Sequence, residues 1–66
     1  MKYNYTTFYT KGFEKHLCDC EGIIYLNIGD KFIDDNGDVY EIIWKMFNAK
    51  NMIMVYHGKL IVVNLK

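Results

Sequence analysis

The stretch that decides the fold is "GDKFIDDNGDVYEI", residues 29–42, in which a polar turn separates two short apolar runs. The "DNGD" at its centre combines Asp, Asn and Gly, which adopt the backbone conformations that tight turns require. The residues on both sides are rich in the β-branched and aromatic types that favour strands. The stretch therefore predicts a β-hairpin in the middle of the chain.

Short strands are predicted on both sides of this hairpin. The predicted strands are residues 3–9, 23–28, 31–34, 39–47, 52–57 and 60–65, with residues 10–22 irregular or forming a short extended piece. Five or six short strands with tight turns predict an all-β domain spanning residues 1–66, either a small SH3-like barrel or a strongly bent antiparallel sheet. The hairpin stretch is similar to the first hairpin of SH3-like and Tudor-like barrels.

The later strands are apolar on both faces. A strand buried on one side only should alternate apolar and polar residues. In residues 39–47, strict alternation predicts one apolar set on each face: Tyr40, Ile42, Trp44 and Met46 on the first, and Val39, Ile43 and Phe47 on the second. The second face is either covered by the N-terminal segment and the curl of the sheet, or is an interface with a second copy or another protein.

The charges are unevenly distributed although the formal net charge is zero. All eight acidic residues lie between Glu14 and Glu41, and only Lys15 and Lys31 lie among them, so this segment carries −6. The segment is either a solvated surface or an acidic face for a basic partner. The chain has no Arg, which best grips phosphates and guanine edges, so direct nucleic-acid binding is not expected.

A second informative stretch, "KHLCDCEG" at residues 15–22, holds both cysteines and one of the two histidines. In an extended segment, His16, Cys18 and Cys20 would project to one side at roughly 6.6–6.8 Å spacing. Modest bending would bring two thiolates to the ~2.3 Å distance of a zinc–sulfur bond. The fourth ligand is His57 or, in its place, Asp19, another carboxylate or a ligand from a second chain. The stretch therefore predicts a structural zinc that ties the N-terminal segment to the sheet.

Two alternatives to a zinc site stay open for this cluster. A disulfide between Cys18 and Cys20 would be strained, because alternate residues of an extended strand sit near the upper limit of Cα separation for a bridge. The same residues could also be a partly exposed histidine and two small thiols on an edge strand. A catalytic zinc would need an open ligand position and a general base, so an enzyme is not expected.

Composition narrows the class and the setting of the protein. The 52% hydrophobic and 17% aromatic content indicates a packed globule. No apolar run is long enough for a membrane span and no secretory leader is recognisable, and two cysteines are too few for a secreted disulfide framework. A cytoplasmic protein is therefore expected. The absence of Arg, Ser, Gln and Pro is typical of AT-rich genomes such as those of low-GC bacteria and their phages.

In size, composition and its His-x-Cys-x-Cys cluster, the chain resembles the small phage anti-CRISPR proteins that act on type II effector nucleases. The resemblance implies a monomeric or homodimeric protein of the host bacterial cytoplasm that inhibits a host nuclease by stoichiometric contact. Such nucleases hold their heteroduplex in positively charged channels, which an acidic face could approach. The predicted partner contacts are Asp30, Asp34, Asp35, Asp38, Glu41, Tyr3, Tyr5, Tyr9 and Phe47.

Two further functions stay open beside the inhibitor. The first is an SH3-like interaction or self-associating regulatory module without an inhibitory role. The second is a small metal-dependent or redox enzyme.

Overall fold

The computed structural model describes residues 4–64, and these form five β-strands. The strands are β1 (Tyr5–Thr10), β2 (Lys15–Glu21), β3 (Lys31–Ile33), β4 (Val39–Asn48) and β5 (Ile53–Val62). They make one sheet in the order β2-β1-β5-β4-β3, which curls strongly into a half-barrel. The predicted all-β fold, a small barrel-like or bent sheet, is confirmed.

The sheet joins two antiparallel units through one parallel pair. β1 and β2 form a hairpin, while β3, β4 and β5 form a meander. β1 lies parallel to β5, with Phe8 opposite Tyr56. The bent sheet is therefore antiparallel except at this pair, where the two units meet side by side.

The central hairpin forms where the sequence predicts it. Asp34 Oδ1 accepts hydrogen bonds from the backbone N–H groups of Asn36 and Asp38, each at 3.0 Å, and closes the turn between β3 and β4. Gly37 has a φ of 86°, a left-handed conformation that glycine adopts without steric cost. The turn is therefore stabilised by hydrogen bonds between neighbouring residues and by the backbone freedom of Gly37, as the sequence predicts.

Three β-bulges interrupt the alternation of side chains. On β5, Leu60 pairs with Tyr40 and Val62 with Val39, so Ile61 is an extra residue. On β4, Ile42 pairs with Gly58 and Trp44 with His57, so Ile43 is an extra residue. On β2, Cys18 pairs with Phe8 and His16 with Tyr9, which leaves Leu17 as an extra residue. One extra residue reverses the side of the sheet to which the residues beyond it project.

Two of the predicted strand boundaries are wrong. Residues 23–28 do not join the sheet, and the turn expected between residues 57 and 60 does not exist, because β5 runs through Gly58. A Cβ atom at Gly58 would lie 2.7 Å from Phe32 Cε1 and 2.9 Å from Tyr40 Cβ. This glycine therefore permits close packing inside a strand. The segment 10–22, predicted to be irregular or to form a short extended piece, contains the strand β2, in line with the second alternative.

The hydrophobic core lies on one face of the curled sheet, which we call the inner face. Its centre is formed by Phe8, Ile42, Met54 and Tyr56. Partly buried side chains surround this centre: Leu17, Cys18, Cys20, Ile23, Leu26 and Phe32. The face opposite is called the outer face.

Residues 22–30, the crossing segment, close the inner face without pairing as a strand. The Thr6 hydroxyl donates to the Gly22 carbonyl at 2.8 Å and accepts from the Ile24 N–H at 2.9 Å. The Tyr56 hydroxyl donates to the Ile24 carbonyl at 2.6 Å and accepts from the Leu26 N–H at 2.7 Å. These side-chain oxygens satisfy backbone groups that a neighbouring strand would otherwise serve. Residues 4–64 contain no helix that could cross a membrane.

Candidate functional site: a groove on the outer face

The outer face carries an open groove of about 440 Å³. It is formed by β1, the β1–β2 turn, β4 and β5. The residues that line it are Tyr5, Thr7, Tyr9, Phe13, Trp44, Met46, Asn48, Ile53 and Val55. Aromatic and aliphatic groups dominate this lining, so its chemistry suits the binding of apolar side chains.

Strand register explains why these residues share one face. Residues directly opposite each other on neighbouring strands project to the same side of a sheet. Three rows run across β1, β5 and β4: Tyr5–Ile53–Asn48, Thr7–Val55–Met46 and Tyr9–His57–Trp44. The rows therefore bring residues from both antiparallel units into a continuous surface.

The bulge at Ile43 is what adds β4 to this surface. Strict alternation predicts Trp44 and Met46 on the same face as Ile42. That prediction is wrong, because the extra residue turns Trp44 and Met46 to the outer face while Ile42 stays in the core. Trp44 is 41% exposed and Met46 46% exposed, whereas Ile42 is fully buried.

Phe13 closes one end of the groove with an aromatic cluster. Its ring centroid lies 5.1 Å from that of Trp44, 5.5 Å from that of His57 and 5.6 Å from that of Tyr9. Edge-to-face contacts of this kind are worth about 0.5–1.5 kcal/mol beyond area burial. The cluster is therefore a structured end wall, and Phe13 remains 43% exposed on top of it.

The turn that carries Phe13 is conformationally strained. Lys11 and Phe13 have φ values of 53° and 73°, in the left-handed region that costs L-residues roughly 1–2 kcal/mol each. The Gly12 N–H donates to His57 Nε2 at 3.0 Å, so this nitrogen of His57 is an unprotonated acceptor. His57 thereby holds the turn, and with it Phe13, against the outer face.

Acidic residues of β2 border the groove. Asp19 lies opposite Thr7 and Glu21 lies opposite Tyr5, so both carboxylates extend the rows of the outer face. Asp19 Oδ1 is 2.7 Å from His16 Nε2, and the His16 ring also packs edge-on against Tyr9. The surface beside the groove, on β2, is therefore polar and negatively charged.

The predicted zinc ligands do not come together. Cys18 and Cys20 lie opposite Phe8 and Thr6 and pack on the inner face, whereas His16 contacts Tyr9 and Asp19 on the outer face. The expectation that the three donors share one side is wrong for His16, because the bulge at Leu17 separates it from the cysteines. His57 projects to the outer face as well.

The four donors therefore do not fit a single tetrahedral ion in this arrangement. Among residues 4–64, no group of three or more His, Cys, Asp or Glu side chains is placed to hold a metal. Burial raises the pKa of the Cys18 thiol from 9.0 to about 11, with added repulsion from Cys20 and nearby carboxylates. Thiolates are the metal-binding and nucleophilic form. Structural zinc stays a prediction that the placement of these side chains does not support.

The predicted aromatic contacts occupy different places. Tyr5 and Tyr9 line the groove. Phe47 lies opposite Met54 and therefore belongs to the other side of β4, where it is 43% exposed. Tyr3 lies outside the described residues.

Three of the predicted acidic contacts hold local structure. Asp34 is 8% exposed and closes the hairpin turn, while Asp38 Oδ1 accepts from the Asn64 N–H at 2.8 Å. Asp30 Oδ2 accepts from the Asn27 N–H at 2.7 Å. All three carboxylates thus accept hydrogen bonds from backbone N–H groups, and only Asp34 is buried.

The two remaining acids are less constrained. Asp35 is exposed in the hairpin turn, and Glu41 lies between Lys31 and Lys59 on the neighbouring strands. The hairpin turn is at the opposite end of β4 from the groove, so the structure does not unite these acids with Tyr5 and Tyr9.

The residues that sequence reasoning missed are Phe13, Trp44, Met46, Asp19 and Glu21. For Trp44 and Met46 the reason is strict alternation, which places both on the core face.

Comparisons with protein-family models, with curated proteins and with solved structures find no match for this chain. The function is therefore argued from the groove itself.

Proposed function

We propose that this chain is a binding protein that acts by stoichiometric contact with a partner protein, through the groove on its outer face. The observation that carries the proposal is the contrast between two apolar faces, of which only the inner one is closed. Trp44, Met46 and Phe13 are each more than 40% exposed on a surface that residues 4–64 leave uncovered. Aromatic side chains of this kind dominate the binding energy of protein interfaces.

The proposal includes a narrower role, that of a phage-encoded inhibitor of a type II effector nuclease in the host bacterial cytoplasm. Such nucleases contain positively charged channels. The acidic border of the groove, with Asp19 and Glu21, supports a contact of this kind by charge complementarity.

A cleavage assay tests both levels of the proposal. Purified chain is titrated into a type II nuclease loaded with guide RNA, and cleavage of target DNA is measured. We expect cleavage to stop near a one-to-one ratio, and Trp44→Thr and Met46→Thr to restore it. Ile28→Thr, at a 56% exposed position outside the groove, is the matched control and should inhibit like the wild type.

Each outcome of this assay has a separate meaning. Full inhibition by the Trp44 and Met46 variants would show that the contact surface lies elsewhere. No inhibition by the wild-type chain would reject this class of nuclease as the partner. Circular dichroism of each variant confirms that it is folded, so a loss of inhibition is attributable to the surface.

A second candidate function, self-association, is favoured by a separate apolar patch. The patch lies around β3 and the end of β5, and its exposed residues are Ile33, Leu60, Ile61, Val62 and Val63. Large exposed apolar patches mark association sites. Sedimentation velocity over a concentration series should then show a dimer that Val62→Lys converts to a monomer. A wild-type chain that stays monomeric at every concentration rejects this candidate.

A further inference from the structure

The outer face of the sheet is acidic as well as apolar. Beyond the groove, Glu41 and Lys59 lie opposite each other on this face. In the three rows that cross the groove, register places twelve residues of four strands: His16, Asp19, Glu21, Tyr5, Thr7, Tyr9, Ile53, Val55, His57, Trp44, Met46 and Asn48. This set contains two carboxylates and two histidines but no lysine. With neutral histidines its formal charge is therefore −2.

The lysines of the same strands lie elsewhere. Lys15 pairs with Thr10, whose buried hydroxyl donates to the Gly58 carbonyl on the inner face. Lys45 pairs with Tyr56, and its Nζ donates to the Leu26 carbonyl of the crossing segment at 3.2 Å. The strands around the groove thus direct their cations away from it.

The two carboxylates are positioned beside the apolar floor. Asp19 and Glu21 lie one strand away from Thr7 and Tyr5, and neighbouring strands are about 4.8 Å apart. A lysine stem can pack along the Tyr5 ring while its ammonium reaches Glu21, which lies directly opposite Tyr5. An apolar side chain on the same ligand can occupy the floor formed by Val55 and Met46.

We infer that the groove takes a basic, extended segment of the partner protein, with apolar side chains on the floor and cationic ones toward β2. This inference rests on the proposed function and specifies the chemistry of its partner. An extended segment fits because alternate residues of a strand project to opposite sides, and every second one can face the groove. A second copy does not fit the groove rows, since a two-fold contact between them would bring two pairs of carboxylates together with no lysine in either set.

Trp44 provides the reporter for the test, because it is the only tryptophan of the chain and lines the groove. Two synthetic peptides serve as probes, one with the repeat Lys-Thr-Val-Thr and the other with the repeat Glu-Thr-Val-Thr, so that charged and apolar residues alternate along one side of the extended peptide. The full-length chain is titrated with each, and Trp44 fluorescence is followed at low and at high salt. We expect only the lysine peptide to change the emission, with an affinity that falls about tenfold at high salt.

Single substitutions then distinguish the contribution of the acidic border to peptide binding from that of the apolar floor. Glu21→Gln is expected to weaken the lysine peptide about fivefold. Asp35→Asn, at the exposed hairpin turn outside the groove, is the matched control and should bind like the wild type. Met46→Thr should also weaken binding, measured by calorimetry, because it removes part of the apolar floor.

The outcomes distinguish this inference from the proposed function. Equal binding of both peptides, or binding that salt and Glu21→Gln leave unchanged, overturns the basic segment while the groove stays a binding site. No response to either peptide also overturns the inference. The proposed function is decided by the cleavage assay, in which the peptides play no part.

Discussion

The inner and outer faces of this sheet are both apolar, yet only one of them is a core. On the inner face, Ile42 and Tyr56 are fully buried beneath the crossing segment. On the outer face, Trp44 and Met46 stay more than 40% exposed, because no segment among residues 4–64 crosses above them. On a sheet apolar on both sides, the path of one connecting segment decides which face becomes the core and which remains available for binding.

We expect the largest difference in stability between substitutions of two adjacent isoleucines, Ile42 and Ile43. Ile42→Ala should lower the free energy of unfolding by about 3 kcal/mol, since it opens a cavity at a fully buried site. Ile43→Ala, at the 43% exposed bulge residue, is the matched control and should cost less than about 1 kcal/mol. Urea denaturation measures both. Equal losses would contradict the assignment of the two residues to different environments.

A smaller loss of stability is expected at Tyr56, whose hydroxyl attaches the crossing segment to the sheet. Tyr56→Phe removes the hydroxyl that serves both the Ile24 carbonyl and the Leu26 N–H, leaving two backbone groups short of a partner. The expected loss of stability is about 1–3 kcal/mol. Tyr25→Phe, at a 78% exposed ring, should change nothing measurable. A Tyr56→Phe variant as stable as the wild type would mean that the segment is held by packing alone.

Local chemistry is what makes part of this fold predictable. The hairpin of residues 34–38 is built from hydrogen bonds between neighbours in the sequence, so its turn residues indicate it directly. The alternation of apolar and β-branched residues likewise indicates strands wherever they occur. Both signals depend on a few adjacent residues and therefore survive without knowledge of the rest of the structure.

The features that define the groove are not local. Leu17 and Ile43 are ordinary strand residues, and only their misalignment with the partner strands makes them bulges. Residues 23–28 have the composition of a strand, but their backbone partners are the distant hydroxyls of Thr6 and Tyr56. Strict alternation therefore places Trp44 and Met46 in the core and groups His16 with the cysteines, and both placements are wrong.

The free energy of unfolding is expected to depend on pH through the Cys18 thiol on the inner face. The unfolded chain releases the Cys18 proton near pH 9.0, whereas the raised pKa holds it in the folded chain up to about pH 11. The free energy of unfolding should therefore fall as pH rises through this window. The fall is modest because the thiol is only partly buried. Urea denaturation of Cys18→Ser should show a smaller fall between pH 8 and pH 10 than the wild type; identical falls would contradict the shift.

A chelator tests whether the cysteines of the inner face and the histidines of the outer face hold a common metal ion. Because Cys18 and Cys20 lie on the inner face and His16 and His57 on the outer one, a chelator should leave the melting temperature unchanged. Elemental analysis of the purified chain is the accompanying measurement. One zinc per chain, with a melting temperature that drops on chelation, would contradict the separation of these donors.

The most direct test of the central claim uses two methionines on neighbouring strands. Met46 lies on the outer face and is 46% exposed, whereas Met54 lies in the core and is 7% exposed. Thermal unfolding followed by circular dichroism should show a cooperative, near-wild-type transition for Met46→Lys and no folded state for Met54→Lys. Unfolding of Met46→Lys would mean that β4 alternates without the bulge at Ile43, and the outer groove would not exist.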